Sequence, residues 1–134
     1  MPANWIAFVR RDVQAADVLR RNGIYEESCF HSQQAAEKAL KAFLLYNGQT
    51  PPRIHDLADL LTRCLTFDTT LNAFRAECTT LNQYYAPTRY PDVAAAILSA
   101  GLPGQTEAQR ALDYARAILS TIEMRLFPSP PSLP

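Results

Sequence analysis

The sequence predicts an all-α fold, an up-and-down antiparallel bundle of four or five helices. Three observations predict it. Gly23 to Asn47 has no proline and no interior glycine, and is rich in Ala, Glu, Gln, Lys and Leu, which lose least on entering a helix. Apolar residues recur at helical period along this and the other long segments, and no segment reads well as a strand. The breaks are short and carry turn residues, which folds each helix back on the one before. A chain of 134 residues, 48% hydrophobic and 19% charged, makes one globular domain with its own core. That domain is expected over residues 1–127, with the proline-rich 128–134 as a disordered tail.

Asn4 is placed to cap a first helix that runs to about Arg21, with Trp5, Phe8, Val9, Val13, Ala16 and Leu19 as its apolar face. Asp12 falls within that face. A carboxylate there sits at the rim or finds a cation, and Lys38 of the second helix is the expected partner. Arg10, Arg11, Arg20 and Arg21 lie mostly off the core face and read as solvated. Asn22-Gly23 is a turn, and Asn47-Gly48 ends the second helix.

The second helix buries Tyr25, Cys29, Ala36, Leu40 and Phe43. Its opposite side carries Glu27, His31, Gln34, Lys38 and Lys41, with Ala35, Ala39 and Ala42 between the two faces. Such a stripe is a solvated surface, or a face that a second helix or a ligand approaches closely. Thr50-Pro51-Pro52 is an extended link, and His55-Asp56 opens a short third helix with Leu57, Leu60, Leu61, Cys64 and Leu65 inside. His55 faces an anion or holds the loop through backbone hydrogen bonds.

A fourth helix is expected over Asp68 to Tyr85, packed through Leu71, Phe74, Cys78, Leu81 and Tyr85 and stopped by Pro87. Tyr84 to Asp92 then holds three tyrosines, Arg89 and Asp92, with two prolines to stiffen the backbone. Arg89 offers a planar fork for phosphate or carboxylate, and Tyr90 a stacking face and a hydroxyl. The alternative is an internal Arg89–Asp92 pair with the tyrosines packed over the bundle end. Residues 93–104 read as a loop, and Thr106-Glu107-Ala108-Gln109 matches a capping box that starts the last helix. Ala108, Leu112, Ala115, Leu119, Ile122 and Leu126 are its stripe.

Formal net charge is zero, so a nucleotide or RNA site must be a local patch. Cys29, Cys64 and Cys78 read as buried thiols, not as a disulfide or zinc framework. No signal peptide or membrane-spanning run is evident, and a cytoplasmic location with no membrane partner is expected. No P-loop, nucleophile elbow, dinucleotide fingerprint or metal cluster is present in the sequence, and no metal or cofactor is expected.

Phe30-His31-Ser32-Gln33-Gln34-Ala35-Ala36-Glu37-Lys38-Ala39-Leu40-Lys41-Ala42 strongly resembles the signature of the HEPN domain family (higher eukaryotes and prokaryotes nucleotide-binding). Thr88-Arg89-Tyr90-Pro91-Asp92, His55-Asp56-Leu57 and Asp12 on the first helix match further marks of its small stand-alone prokaryotic members. The resemblance covers about Trp5 to Leu126. It implies an all-α bundle, usually a homodimer, often encoded beside a minimal nucleotidyltransferase in toxin–antitoxin or nucleotide-handling pairs. Many members are metal-independent ribonucleases with an Arg and a His a few residues apart. That spacing is absent here: Arg20 and Arg21 lie too far from His31, Arg53 too close to His55, and no His follows Arg89.

Three functions fit these residues. The first is a nucleotide- or RNA-related binding subunit acting with a nucleotidyltransferase, in which Lys38, Lys41, Arg89, Tyr90 and Asp92 meet the ligand and Asp12, Gln34 and Glu37 support the site. The second is a metal-independent ribonuclease with an atypical site around His31 and His55. The third is a dimeric assembly module whose seam is the polar stripe.

Overall fold

The structure, a computed structural model, describes residues 2–85 and 101–128. Five α-helices make the bundle among those residues: α1 (Pro2–Arg21), α2 (Tyr25–Tyr46), α3 (Leu57–Cys64), α4 (Arg75–Asn82) and α5 (Gln105–Leu126). A 3₁₀ turn, Thr69–Phe74, precedes α4. No helix among the described residues is long and apolar enough to cross a membrane.

The fold is hung on α2, which packs along α1, α5 and α3. Its expected core residues Cys29, Ala36, Leu40 and Phe43 are buried, and so are Ala35, Ala39 and Ala42. Methyl-sized side chains let neighbouring backbones come close, so burial extends nearly all round the helix from Ser28 to Leu44. Ser28 lies completely inside and donates its hydroxyl to the Ala16 carbonyl of α1 at 2.7 Å. The polar side of α2 is therefore not a solvated face: His31, Gln34 and Lys38 are half-buried, and Glu37 and Lys41 are buried.

Both α1 and α2 end in the same way. Gly23 and Gly48 take φ of +77° and +79°, a region open to glycine at little cost. Ile24 N–H then returns to Leu19 C=O at 2.9 Å, and Gln49 N–H to Leu44 C=O at 3.0 Å. These are the outer bonds of a Schellman motif. Asn22 and Asn47 donate their side-chain amides to Val18 and Phe43 carbonyls, each at 2.8 Å. The first turn folds α2 back along α1.

The phase of α1 differs from the expected one. The helix starts at Pro2, so Asn4 lies inside it and is not the cap; proline's fixed φ suits the first turn. Its buried line is Ile6, Val9, Asp12 and Ala16, which leaves Phe8 52% exposed. Trp5 and Val13 are partly buried against the core. Arg20 is half-buried and paired with Asp17 at 2.9 Å instead of fully solvated.

Asp56 caps α3, accepting from the N–H of Ala58 at 2.9 Å and of Asp59 at 3.2 Å. Leu57, Leu60, Leu61 and Cys64 point inward as expected. The continuous fourth helix divides in two, since Thr69, Thr70 and Asn72 are poor helix formers and Asp68 caps Thr70 N–H, which favours a tight 3₁₀ start. α4 stops at Asn82, and the turn that follows buries Tyr84 while Tyr85 is only half-buried. The cap of α5 lies two residues before the expected one. Gly104 N–H donates to Glu107 Oε1 at 3.1 Å, so Glu107 takes the third helical position and Thr106 does not cap. The α5 stripe is buried from Ala108 to Leu126 as expected. Burial pushes the thiols of Cys29, Cys64 and Cys78 up to about 12, which leaves them poor nucleophiles. Pro87, Arg89, Tyr90, Asp92 and the 129–134 part of the tail lie outside the described residues.

Asp56→Ala removes the α3 cap and the acceptor of the Asn82 side-chain amide. A loss of about 1–2 kcal/mol is expected, seen as a lower urea midpoint at unchanged slope.

Candidate functional site

Two carboxylates organise the polar side of α2. His31, Gln34 and Lys38 fall on one line of the helix and Gln33, Glu37 and Lys41 on the next, by i, i+3/i+4 spacing. Because α1 runs alongside, Asp12 meets the first line. Its Oδ2 accepts from Lys38 Nζ at 2.6 Å, and its Oδ1 lies 3.0 Å from His31 Nδ1. This is the pairing expected from an acidic residue on a buried helix face. Burial pushes the Asp12 carboxyl up, but hydrogen bonds from His31 and Lys38, helped by Lys38's charge, outweigh it and hold the group below its ordinary range.

The second carboxylate is Glu37, almost wholly buried. It accepts from Lys41 Nζ at 3.2 Å and Gln33 Nε2 at 3.3 Å, and both its oxygens lie 3.1 Å from His55 Nδ1. Gln33 also reaches the His55 backbone carbonyl at 3.4 Å, and Gln34 donates to Gln33 Oε1 at 2.7 Å. The His55 ring stacks on Tyr85 with centroids 4.4 Å apart and planes at 22°. Next to it, Leu57 N–H donates to Asn82 Oδ1 at 2.9 Å, which ties the start of α3 to the end of α4. The expected backbone hold on the loop exists, but it comes from Gln33 to the His55 carbonyl, and the imidazole itself goes to a carboxylate.

The structure thus gathers Asp12, His31, Gln34, Glu37, Lys38, Lys41 and His55 along one helix. Lys41, grouped with the ligand-contacting residues on sequence, is buried against Glu37 and has little surface to offer. The His55 side chain is 48% exposed. Arg89, Tyr90 and Asp92 lie outside the described residues. Gln33 is the residue that sequence reading did not single out. Its position one turn before Glu37, on the side facing the third helix, is the signal that could have found it.

Each imidazole is held through Nδ1 by a carboxylate from another turn or helix. This orients the ring and, when that nitrogen carries the proton, leaves Nε2 as an acceptor. With the Lys38 ammonium beside His31 on the shared Asp12 carboxylate, the face offers a cation for an anion and imidazole nitrogens that can take or give a proton. Among the described residues no group of three or more His, Cys, Asp or Glu is arranged to hold a metal ion.

Two outcomes follow from the pairing. A depressed carboxyl stabilises the fold fully above the ordinary carboxylate value of about 4, and that contribution is lost as pH falls through the lower folded value. Asp12→Asn is therefore less stable than the native chain at pH 7, and the gap between their urea midpoints narrows below about pH 5. Glu37→Ala strands Lys41 in the interior and should cost about 3–5 kcal/mol, whereas Glu37→Leu with Lys41→Met recovers most of that loss.

The HEPN domain family model matches residues 3–125. The chain is similar in structure to TT1696 from Thermus thermophilus, with a TM-score of 0.81 and 35% identity over 93% of this chain and 98% of that one. It is also similar to ST0689, described as an archaeal HEPN homologue, with a TM-score of 0.74 and 30% identity over 94% of this chain and 98% of that one. A segment of 44 residues is 46% identical to a Methanocaldococcus jannaschii protein named "Putative toxin MJ1304"; it covers 31% of this chain and 29% of that protein. With a family model spanning nearly its whole length and two full-length structural relatives, the chain belongs to the HEPN domain family.

Proposed function

We propose that this protein is the HEPN member of a toxin–antitoxin-like pair, and that it binds a nucleotide or an RNA phosphate on the polar side of α2. The observation that carries the reading is that face. Lys38 and His31 on α2, and His55 docked on Glu37 of the same helix, set an ammonium and two carboxylate-held imidazoles against α2 in a chain of zero net charge. The name of the M. jannaschii relative supports the toxin half of the reading. In this reading the protein acts as a homodimer with a minimal nucleotidyltransferase, and Arg89, Tyr90 and Asp92 add a phosphate fork, a stacking ring and its orienting carboxylate. Lys41 and Glu37 act from below by fixing His55.

Lys38 suits phosphate because an ammonium has three donors and Asp12 takes one of them. Lys38→Met keeps the aliphatic stem and leaves His31 on Asp12. It is expected to weaken binding of AMP or a short RNA by about ten- to a hundredfold, as is Arg89→Ala, with the thermal midpoint of Arg89→Ala unchanged. Calorimetric titration reads this, and equal affinities in both variants remove the assignment. Expression of the chain alone should slow growth, and co-expression of the nucleotidyltransferase should relieve it.

One geometry favours a second reading, cleavage of RNA. Each histidine is held through Nδ1 by a buried carboxylate, His31 by Asp12 and His55 by Glu37. Two imidazoles oriented in this way suit a base that takes the 2′-hydroxyl proton and an acid that protonates the departing 5′-oxygen, with Lys38 stabilising the phosphorane charge. His31→Ala and His55→Ala should each abolish cleavage of a short RNA by the folded protein. Cleavage that survives in both rules the reading out.

A further inference from the structure

We infer that Trp5 and Phe8 of α1 form a stacking platform for an unpaired nucleobase whose phosphate lies toward Lys38 and Arg11. This rests on the reading of the α2 face as a phosphate site and supplies its missing half. Phe8 sits one turn beyond Trp5 and is half-exposed, whereas its neighbours Ile6 and Val9 are fully inside. Its ring therefore adds little to the core. Trp5 is seated against the core, which fixes its indole at low entropic cost.

Asn4, Trp5, Phe8 and Lys38 line a mostly apolar groove of about 380 Å³, within the size of a small-ligand pocket. Two cations attend the Phe8 ring: the Arg11 guanidinium carbon lies 5.3 Å from its centroid and Lys38 Nζ 5.9 Å. Lys38 also belongs to the Asp12–His31 cluster, so the groove opens directly onto the polar face. Apolar walls with a cationic rim fit a flat ring bearing an anion, and the Asn4 amide offers a donor and an acceptor for a base edge. A second copy of the chain fits less well. Two-fold contact through this patch would gather the Lys38 and Arg11 charges of both copies into one seam.

The nucleobase can come from a free mononucleotide or from a single strand, and both present the same ring and phosphate. Trp5 is the only tryptophan in the chain, so its fluorescence reports from the groove alone. Native protein is titrated with AMP, ribose 5-phosphate, a short oligoadenylate and a duplex RNA, beside Phe8→Leu, Arg11→Gln and Lys38→Met. Phe8→Leu keeps an apolar side chain at a half-exposed position, and circular dichroism checks its fold.

The expected result is quenching of Trp5 by AMP or the oligoadenylate but not by the duplex, whose bases are already stacked. AMP affinity should fall about tenfold or more in Phe8→Leu, with ribose 5-phosphate affinity unchanged. A stronger response to AMP identifies a free nucleotide, and a stronger response to the strand identifies RNA; either supports the platform. If Lys38→Met loses both phosphates while Phe8→Leu binds AMP like the native chain, the platform falls and the α2 reading stands. If Phe8→Leu alters the sedimenting mass and not the AMP affinity, the groove belongs to a protein contact and the platform falls. Unquenched Trp5 with every probe in the native protein also overturns it.

Discussion

A helix buried on nearly every side carries charge only where each charge meets a partner, and that constraint organises this protein. α2 brings Glu37, Lys38 and Lys41 into the bundle together with Gln33 and His31. Left alone, each charge would destabilise the interior by several kcal/mol. Lys41 and Glu37 neutralise one another within the helix, while Lys38 turns to Asp12 on α1. The Lys38 pairing thus explains why a carboxylate, Asp12, occupies the middle of an otherwise apolar stripe. The small residues of α2 play the complementary part. They bring α1 near enough for Asp12 to reach, and the Ser28 hydroxyl ties the two backbones together.

The same pairing prepares the chemistry. A histidine on the surface samples many rotamers, but one hydrogen-bonded through Nδ1 to a fixed carboxylate presents its other nitrogen in a set direction. His31 is set by Asp12 and His55 by Glu37. His55 is clamped further by its stack on Tyr85 and by Gln33 at its carbonyl. Gln34 touches Gln33, whose amide reaches Glu37, so two residues link the half-buried outer line of α2 to its buried inner line. The site is thus rigid for the reason that the fold is stable: every polar group that orients a histidine is itself held inside the bundle.

The outer surface of α1 follows a different logic. A one-residue difference in helix phase turns a ring by about 100°. Placing the buried line on Ile6, Val9, Asp12 and Ala16 takes Phe8 from the core to the rim of the groove beside Lys38. The aromatic surface and the Asp12–Lys38 pair are thus two consequences of one choice of face.

The sequence by itself determined the helical class, the limits of α1, α2 and α3 to within a few residues, the Asn-Gly stops, the stripe of α5 and the Asp12–Lys38 pair. These depend on local propensity, on periodicity and on the rule that a buried carboxylate needs a cation. Family membership was legible as well, since its signature lies in one uninterrupted stretch of α2. Tertiary structure alone decided which way α1 faces, because Phe8, Trp5, Ile6 and Val9 are all apolar and only the neighbours select among them. It decided that Lys41 is inside and His55 outside, since polarity in a sequence does not say which helices will cover a face. It also chose Glu37 as the partner of His55, a contact across 18 residues that exists only because the extended Pro51-Pro52 link brings α3 back against α2.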